Sequence, residues 1–454
     1  MKRDAIDFDN EKTSVLFRKL LLPTLWGTIS ICAVTAIDGI FVGHGVGANG
    51  VAAVNIVVPI YQIMSGIGLM IGAGCSVVAS IHMARKNIKA ARLNISQAIA
   101  ASSLFAFLFC VIILAYPTIT AKLLGASETL LPDVVSYMQW IMPSFIFQMW
   151  SMIGLFIIRL DGSPRYAMWC NVIPTALNAI LDWLFIFPLG MGVEGAAAAT
   201  SISIIIGGIM ALAYLLMPGP TLKLTPIKSS RKSIRLTLRN IGYQCKVGSS
   251  TLFGELTLAI LFFAGNHTFM RYLGDAGVGA FGIASYYTPL FFMFGNAVVQ
   301  SAQPIISYNY GISRWQKIKE ARKLLLITSA AIGFAVALLF IFIPDMLVAL
   351  FVDTASYAGR LAIDGFPYLA MGIIFFILNV AIIGYYQSIE QIKRATLFVF
   401  LRGFILLVPC FIILPKILGT SGIWLAMPVA EAVTSVAITL LFSREFISRK
   451  KHCP

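Results

Sequence analysis

Four carboxylates stand inside long apolar stretches of this sequence: Asp38, Asp182, Glu255 and Glu431. A charged side chain at the centre of a membrane-spanning helix costs about 2.5–3.5 kcal/mol on insertion scales. No Lys or Arg is evident in mid-stretch as a partner, so each acid is expected to face a helix-bundle interior or a wet cavity. Low dielectric favours the neutral form of a carboxylate and lets it exchange protons near neutral pH. The plainer alternative is a protonated acid hydrogen-bonded across helices, and it weighs more for Glu255 and Glu431 than for Asp38 and Asp182. Asp182 has company. Asn178 is four residues earlier, on the same helical face. Thr200 closes the run GVEGAAAAT, whose small residues permit close helix contact. Asp, Asn and Thr with a second Asp make an oxygen-rich pocket for a proton or a small hard cation, and spacing does not choose between them.

Such groups need elements that hold them in lipid. A helix crosses the hydrocarbon core with about 20 mostly apolar residues. Twelve windows qualify: 17–42, 52–83, 95–117, 134–159, 166–189, 195–217, 247–271, 278–310, 324–345, 363–387, 395–415 and 422–443. The second and eighth are long and rich in Gly and Pro, so they are expected to bend or to extend past the membrane. The positive-inside rule orients them. With the N-terminus inside, only Lys122, Arg271, Arg360 and Lys416 of the 34 Lys and Arg residues fall outside, which leaves 30 in the inner segments and flanking helix ends. Both termini are therefore expected in the cytoplasm, and the chain in the plasma membrane.

Composition agrees. The chain is 59% hydrophobic and 12% charged, against about 25% charged in soluble domains. Its net charge of +15 lies in short clusters between apolar stretches. Those clusters suit an anionic inner leaflet rather than nucleic acid. Six of the seven cysteines lie in or beside apolar segments, with no CxxC or Cys/His cluster, so neither a disulfide framework nor a zinc site is expected. No signal peptide precedes the first apolar run, which is expected to be a retained helix. Walker A, GxSxG and HExxH motifs are absent, and Gly43, Gly45 and Gly47 lack the strand that a dinucleotide site needs. Neither an enzyme nor a cofactor is expected.

The two halves align without a gap at an offset of 227 residues. Gly47, Gly50, Val51, Ala53 and Ile56 pair with Gly274, Gly277, Val278, Ala280 and Ile283. Gly68 and Ser80 pair with Gly295 and Ser307, and Pro117 and Leu123 with Pro344 and Leu350. Pro188, Gly192 and Gly195 pair with Pro415, Gly419 and Gly422. Six spans per half is an even number, so the halves share one orientation. The expected fold is all-α, with twelve transmembrane helices in two six-helix lobes related by a pseudo-two-fold along the membrane normal. The expected divisions are a tail at 1–16, an N-lobe at 17–217, a basic linker at 218–246, a C-lobe at 247–443 and a tail at 444–454. Two such lobes leave a cleft, and rocking one against the other gives alternating access.

With these features in view, the sequence resembles the multidrug and toxic compound extrusion (MATE) family, over nearly its whole length. The resemblance rests on Pro23, on Asp38 followed by GIFVGHGVG, on QPIISYNYG at 303–311 and, most specifically, on LNAILDWLFIFPLGMGVEGAAAAT at 177–200. That last stretch resembles the DinF-like branch, and GLMIGAGCSVVAS at 68–80 is similar to its MepA-like members. The resemblance implies cation coupling at Asp38, Asn178, Asp182 and Thr200, and a first-span hinge at Pro23. It adds Tyr137 as a cavity residue. Glu255 matches the first acid of the NorM-like branch, whose second acid is missing, since only Asp364 is near. Glu255 and Glu431 are secondary coupling candidates. The implied function is export of small organic, cationic amphiphilic compounds in exchange for H+ or Na+ by a monomer among membrane lipids. Na+ at the coupling residues is the only metal expected. A lipid-linked oligosaccharide or lipid flippase of the same superfamily is the alternative. It predicts a cationic cleft for a pyrophosphate, whereas the spans read as almost free of interior Arg and Lys.

Overall fold

The computed structural model describes residues 6–45, 48–124, 126, 128–227 and 230–450, without the side chains at 33–40, 42–45, 48–52, 55, 275 and 441–450. Among the described residues there is no strand. The helices are α1 (Thr13–Gly45), α2 (Ala48–Ala84), α3 (Ile88–Ala115), α4 (Pro117–Leu123), α5 (Leu131–Ile141), α6 (Phe145–Leu160), α7 (Pro164–Ile186) and α8 (Gly192–Leu216). Then come α9 (Arg231–Gly311), α10 (Trp315–Phe342), α11 (Pro344–Ala349), α12 (Tyr357–Ser388), α13 (Ile392–Phe400) and α14 (Leu407–Lys450). A 3₁₀ turn at Met142–Ser144 joins α5 to α6, and a π segment at Leu401–Leu406 joins α13 to α14.

Among the described residues, eleven stretches are long and apolar enough to span a membrane, and α9 supplies two of them, Arg231–Gly274 and Ala276–Gly311. The last, Ile392–Leu440, is broken at Gly419 (φ 61°, ψ −136°), which makes it two spans and the total twelve. At 1.5 Å per residue, the 37 residues of α2 run about 55 Å, well beyond a hydrocarbon core of about 30 Å. On α3, Leu104, Phe107, Leu108 and Ile112 are exposed. Lipid, not water, satisfies such a stripe. The chain is a multi-pass membrane protein.

The repeat is visible in the backbone. α3 and α10 begin and end 227 residues apart. So do the left-handed residues Lys86 and Ser313, both at φ 58°, and Gly192 and Gly419, at φ 57° and 61°. The gapless expectation needs one correction. Pro117 and Pro344 start α4 and α11 at the offset of 227, but α7 and α13 start 228 apart, at Pro164 and Ile392. A 3₁₀ turn rises about 2.0 Å per residue against 1.5 Å for an α-helix. The turn at Met142–Ser144 therefore covers a length for which the unbroken α12 uses about one more residue.

By contact the chain forms two compact units. One is Met1–Leu252 with Gln300–Ile318; the other is Phe253–Val299 with Lys319–Pro454. Helices in lipid associate through close packing rather than through hydrophobic burial, and small residues set the approach. In the first unit a Cβ on Gly154 of α6 would lie 2.7 Å from the Cβ of Ala211 on α8. In the second, one on Gly372 of α12 would lie 2.6 Å from the Cα of Pro428 on α14. Any larger residue at either position must spread its helix pair.

Candidate functional site

The N-terminal half gathers polar groups where α7 packs on α8. Asn178 and Asp182 stand one turn apart on α7, and the Asn178 amide points at the Thr200 hydroxyl of α8 at 3.5 Å. Asp182 is fully buried, with no exposed surface. The two helices approach at Gly207, where a Cβ would lie 3.1 Å from Pro174 Cγ. Tyr137, on α5, is buried in the cluster that holds Val193 and Ala197 of α8. The Ser201 hydroxyl, next to Thr200, donates to the Trp140 carbonyl at 2.8 Å and ties α8 to α5. Helix α1 packs along α7; a Cβ on Gly27 would sit 3.2 Å from the Asn171 amide nitrogen. The Asp38 side chain lies outside the described residues, but the helix that carries it is thus the neighbour of the helix that carries Asp182. Pro23 lies inside α1, where it cannot donate a helix hydrogen bond.

The C-terminal half holds a different arrangement, and here the sequence reading is corrected. Glu431 of α14 is not without a basic partner. Arg402, in the π segment, donates from Nε to Glu431 Oε1 at 2.6 Å, with side-chain exposures of 2% and 4%. Arg402 counts among the 30 basic residues assigned to inner segments and helix ends, yet it is buried in mid-span. The Asn379 amide of α12 donates to Glu431 Oε2 at 2.7 Å, and Ser435 donates to Asn379 Oδ1 at 2.8 Å. The guanidinium also sits over the Phe376 ring, 3.9 Å from its centroid. α12, the π segment and α14 are pinned together at one point. The extra residue of a π turn re-aims a side chain, and such turns recur at functional positions.

Glu255 lies on α9, half-buried, with no polar partner among the described residues. Its neighbours define its surroundings: Gly254 faces the Phe292 ring, and Thr257 packs on Gly403 beside Arg402. Among the described residues, no three His, Cys, Asp or Glu side chains gather as a metal site.

The description MatE fits the chain twice, over residues 23–184 and 251–412, two segments that begin 228 residues apart. The chain belongs to the MatE family. The double match is the repeat seen at family level, in the register that α7 and α13 show. Among curated MatE-like relatives, the multidrug export protein MepA of Staphylococcus aureus (strain MRSA252) is 22% identical over 428 residues, covering 92% of this chain and 91% of that protein. MepA of Staphylococcus saprophyticus is 24% identical over 455 residues, covering 95% and 94%. Two solved structures share the fold. One is an outward-facing conformation of a multidrug resistance MATE family transporter of the MOP superfamily, with a TM-score of 0.89, 20% identity and 98% of both chains covered. The other is a MOP superfamily transporter from Pyrococcus furiosus, with a TM-score of 0.88, 20% identity and 98% of both chains covered; its binding pocket is described as having reverse polarity that suggests a different function.

Of the residues singled out in this MatE chain, the structure brings Asn178 against Thr200 with Asp182 one turn away, and it places Tyr137 on α5 against α8. Sequence reasoning missed Arg402 and Asn379. The signal for Arg402 was present, an arginine inside the apolar run LFVFLRGFILL. Its partner lies 29 residues away on another helix, beyond the reach of any helical spacing rule.

Proposed function

We propose that this protein is a secondary active antiporter that exports small organic, cationic amphiphilic compounds in exchange for H+ or Na+. The observation that carries the reading is the fully buried Asp182, one turn from Asn178, whose amide meets Thr200. The export activity named for the MepA relatives supports it. In this reading 17–217 and 247–443 are the moving lobes, joined by the basic linker 218–246, with both termini in the cytoplasm and the monomer as the working unit.

Asp38 and Asp182 carry the coupling. With the cleft open outward they take up a proton or Na+, which removes net charge from the N-lobe. Helix α1 then repacks on α7, with Pro23 as the bending point, because a backbone hydrogen bond is already missing there. Repacking narrows the N-lobe cavity and expels the bound compound. An inward potential adds about 2.3 kcal/mol per charge per 100 mV to the driving force. The flippase alternative needs free cationic groups for a pyrophosphate; Glu431 neutralises Arg402, and the buried Arg159 donates to the Gln300 amide oxygen at 2.7 Å and to the Leu155 carbonyl. The test is dye efflux from inverted membrane vesicles, with a pH gradient and a sodium gradient imposed separately. Efflux driven by one of them supports the antiporter. Efflux that follows neither gradient but needs ATP contradicts it.

A further inference from the structure

Residues 6–12 precede the first span and make more specific contacts than a solvated tail requires. Asp7 builds a tight turn: its Oδ1 accepts the backbone N–H of Asp9 at 2.8 Å, and its Oδ2 accepts the Asn10 amide at 2.7 Å. The turn presents the next residues to the distal end of α9 and the loop after it. Phe8 is buried and stacks on Tyr308, with ring centroids 5.4 Å apart. Asp9 has both carboxylate oxygens engaged. Tyr308 donates its hydroxyl to Oδ2 at 2.9 Å, and Arg314 pairs with Oδ1 at 2.9 Å. The Lys317 ammonium, which has three protons to donate, meets three carbonyls, those of Phe8 (3.3 Å), Asp9 (2.8 Å) and Glu11 (3.2 Å). At its other end the segment is fastened to α1, where Lys19 pairs with Glu11 at 2.8 Å.

The receiving element is already gripped by the same unit. Gln303 donates to the Ala73 carbonyl at 3.0 Å, and Arg85 donates to the Gly311 carbonyl at 3.1 Å. Residues 300–318 belong by contact to the unit that holds α1–α8, although the chain continues from them into α10 of the other unit. Between segment 6–9 and the helix ends lies a pocket of about 300 Å³, lined also by Met83, Leu160, Asp161, Gly162 and Thr221.

We propose that residues 6–12 are a latch, which holds the end of α9 on the first unit and releases it once in each transport cycle. This rests on the transport reading above. The latch runs without a break into α1 at Thr13, and α1 carries Pro23 and Asp38. Asp38 is 26 residues beyond Lys12, about 39 Å along a helix. Movement of α1 at the coupling acid is thereby transmitted to a fastener at the far end of the same helix.

The test uses a chain whose native cysteines are replaced, carrying Phe8→Cys and Tyr308→Cys and reconstituted in vesicles. A short bis-methanethiosulfonate reagent joins the two positions. The cross-linked protein is expected to lose dye efflux at least about tenfold, with full recovery on reduction. Folding is not in question, because one sample is compared with itself. Equal efflux before and after reduction overturns the latch. A second measurement needs no transport: thiol labelling of Met83→Cys. Asp9→Asn should raise its labelling rate about fivefold, the scale of one charge-assisted hydrogen bond in a partly exposed site. Equal labelling with Asp9 intact also overturns the latch. Efflux absent from the parent protein, with Phe8 and Tyr308 intact, would instead count against the transport reading, and the labelling result would still decide the latch.

Discussion

The two halves of this protein share a backbone and differ in their chemistry. Glu431 of the C-terminal half is held by an arginine at 2.6 Å and an amide at 2.7 Å, and three elements meet on it. Asp182 of the N-terminal half sits one turn from Asn178, whose long contact to Thr200 is between an amide and a hydroxyl. At the offset of 228 that relates α7 to α13, Asp182 corresponds to Cys410; at the offset of 227 that relates Gly192 to Gly419, Glu431 corresponds to Ile204. Neither charge is repeated. The two halves share the breaks that separate their spans, such as Gly192 and Gly419, while the polar positions differ. A neutralised pair suits a lobe that moves as one body. In the proposed cycle Asp182 exchanges a cation while the Arg402–Glu431 pair stays intact.

The largest stability effect should come from splitting the C-terminal pair. Arg402→Met leaves Glu431 buried without its cation and should cost about 3–5 kcal/mol, read as earlier unfolding in detergent. The double variant Arg402→Met with Glu431→Met removes both charges and should recover most of that loss. Asp182→Asn keeps shape and hydrogen-bonding capacity, so its unfolding should stay within about 1 kcal/mol of the parent. A loss as large as that of Arg402→Met would erase the distinction between the halves. Packing comes next: Gly154→Val must push α6 from α8, and Gly372→Val must push α12 from α14. Each should cost about 1–3 kcal/mol, and near-equal costs would show that the halves differ in chemistry but not in assembly. The smallest effect concerns pH. The Asn10 amide and the Asp9 backbone N–H hold the Asp7 carboxyl below the usual aspartate range. A carboxylate whose acidity is increased in the folded state adds stability above its unfolded pKa, and that contribution is lost as pH falls through the folded value. The turn at 7–10 should therefore persist through the ordinary aspartate range. Met83→Cys labelling, read with a pyridyl disulfide probe that still reacts with thiols at low pH, should rise only in stronger acid.

Much of this was legible in the residues. Apolar length gave the spans, and paired glycines marked where the backbone must turn left-handed, at Gly192 and Gly419. The one-residue slip was not legible, because a 3₁₀ turn at Met142–Ser144 changes rise per residue without changing the apolar pattern. The acids were legible as anomalies, but their partners were not. Arg402 meets Glu431 only because the π segment and α14 pack side by side. The same holds for Asp9 and Tyr308, 299 residues apart and joined by tertiary structure alone. Periodicity reports which face a residue occupies; it says nothing of which distant helix meets that face.

The most direct test of coupling in the N-terminal half is gradient-driven dye efflux from vesicles with four proteins at matched expression: the parent, Asp38→Asn, Asp182→Asn and Glu431→Gln. Each imposed gradient, proton or sodium, is applied alone. The two aspartate variants should insert normally and lose efflux at least about tenfold, the scale of a 1.4 kcal/mol change in the coupled step. Glu431→Gln should lose less, because Glu431 is already engaged by Arg402. Wild-type efflux by either aspartate variant would contradict the account and move coupling to Glu255 in the other half.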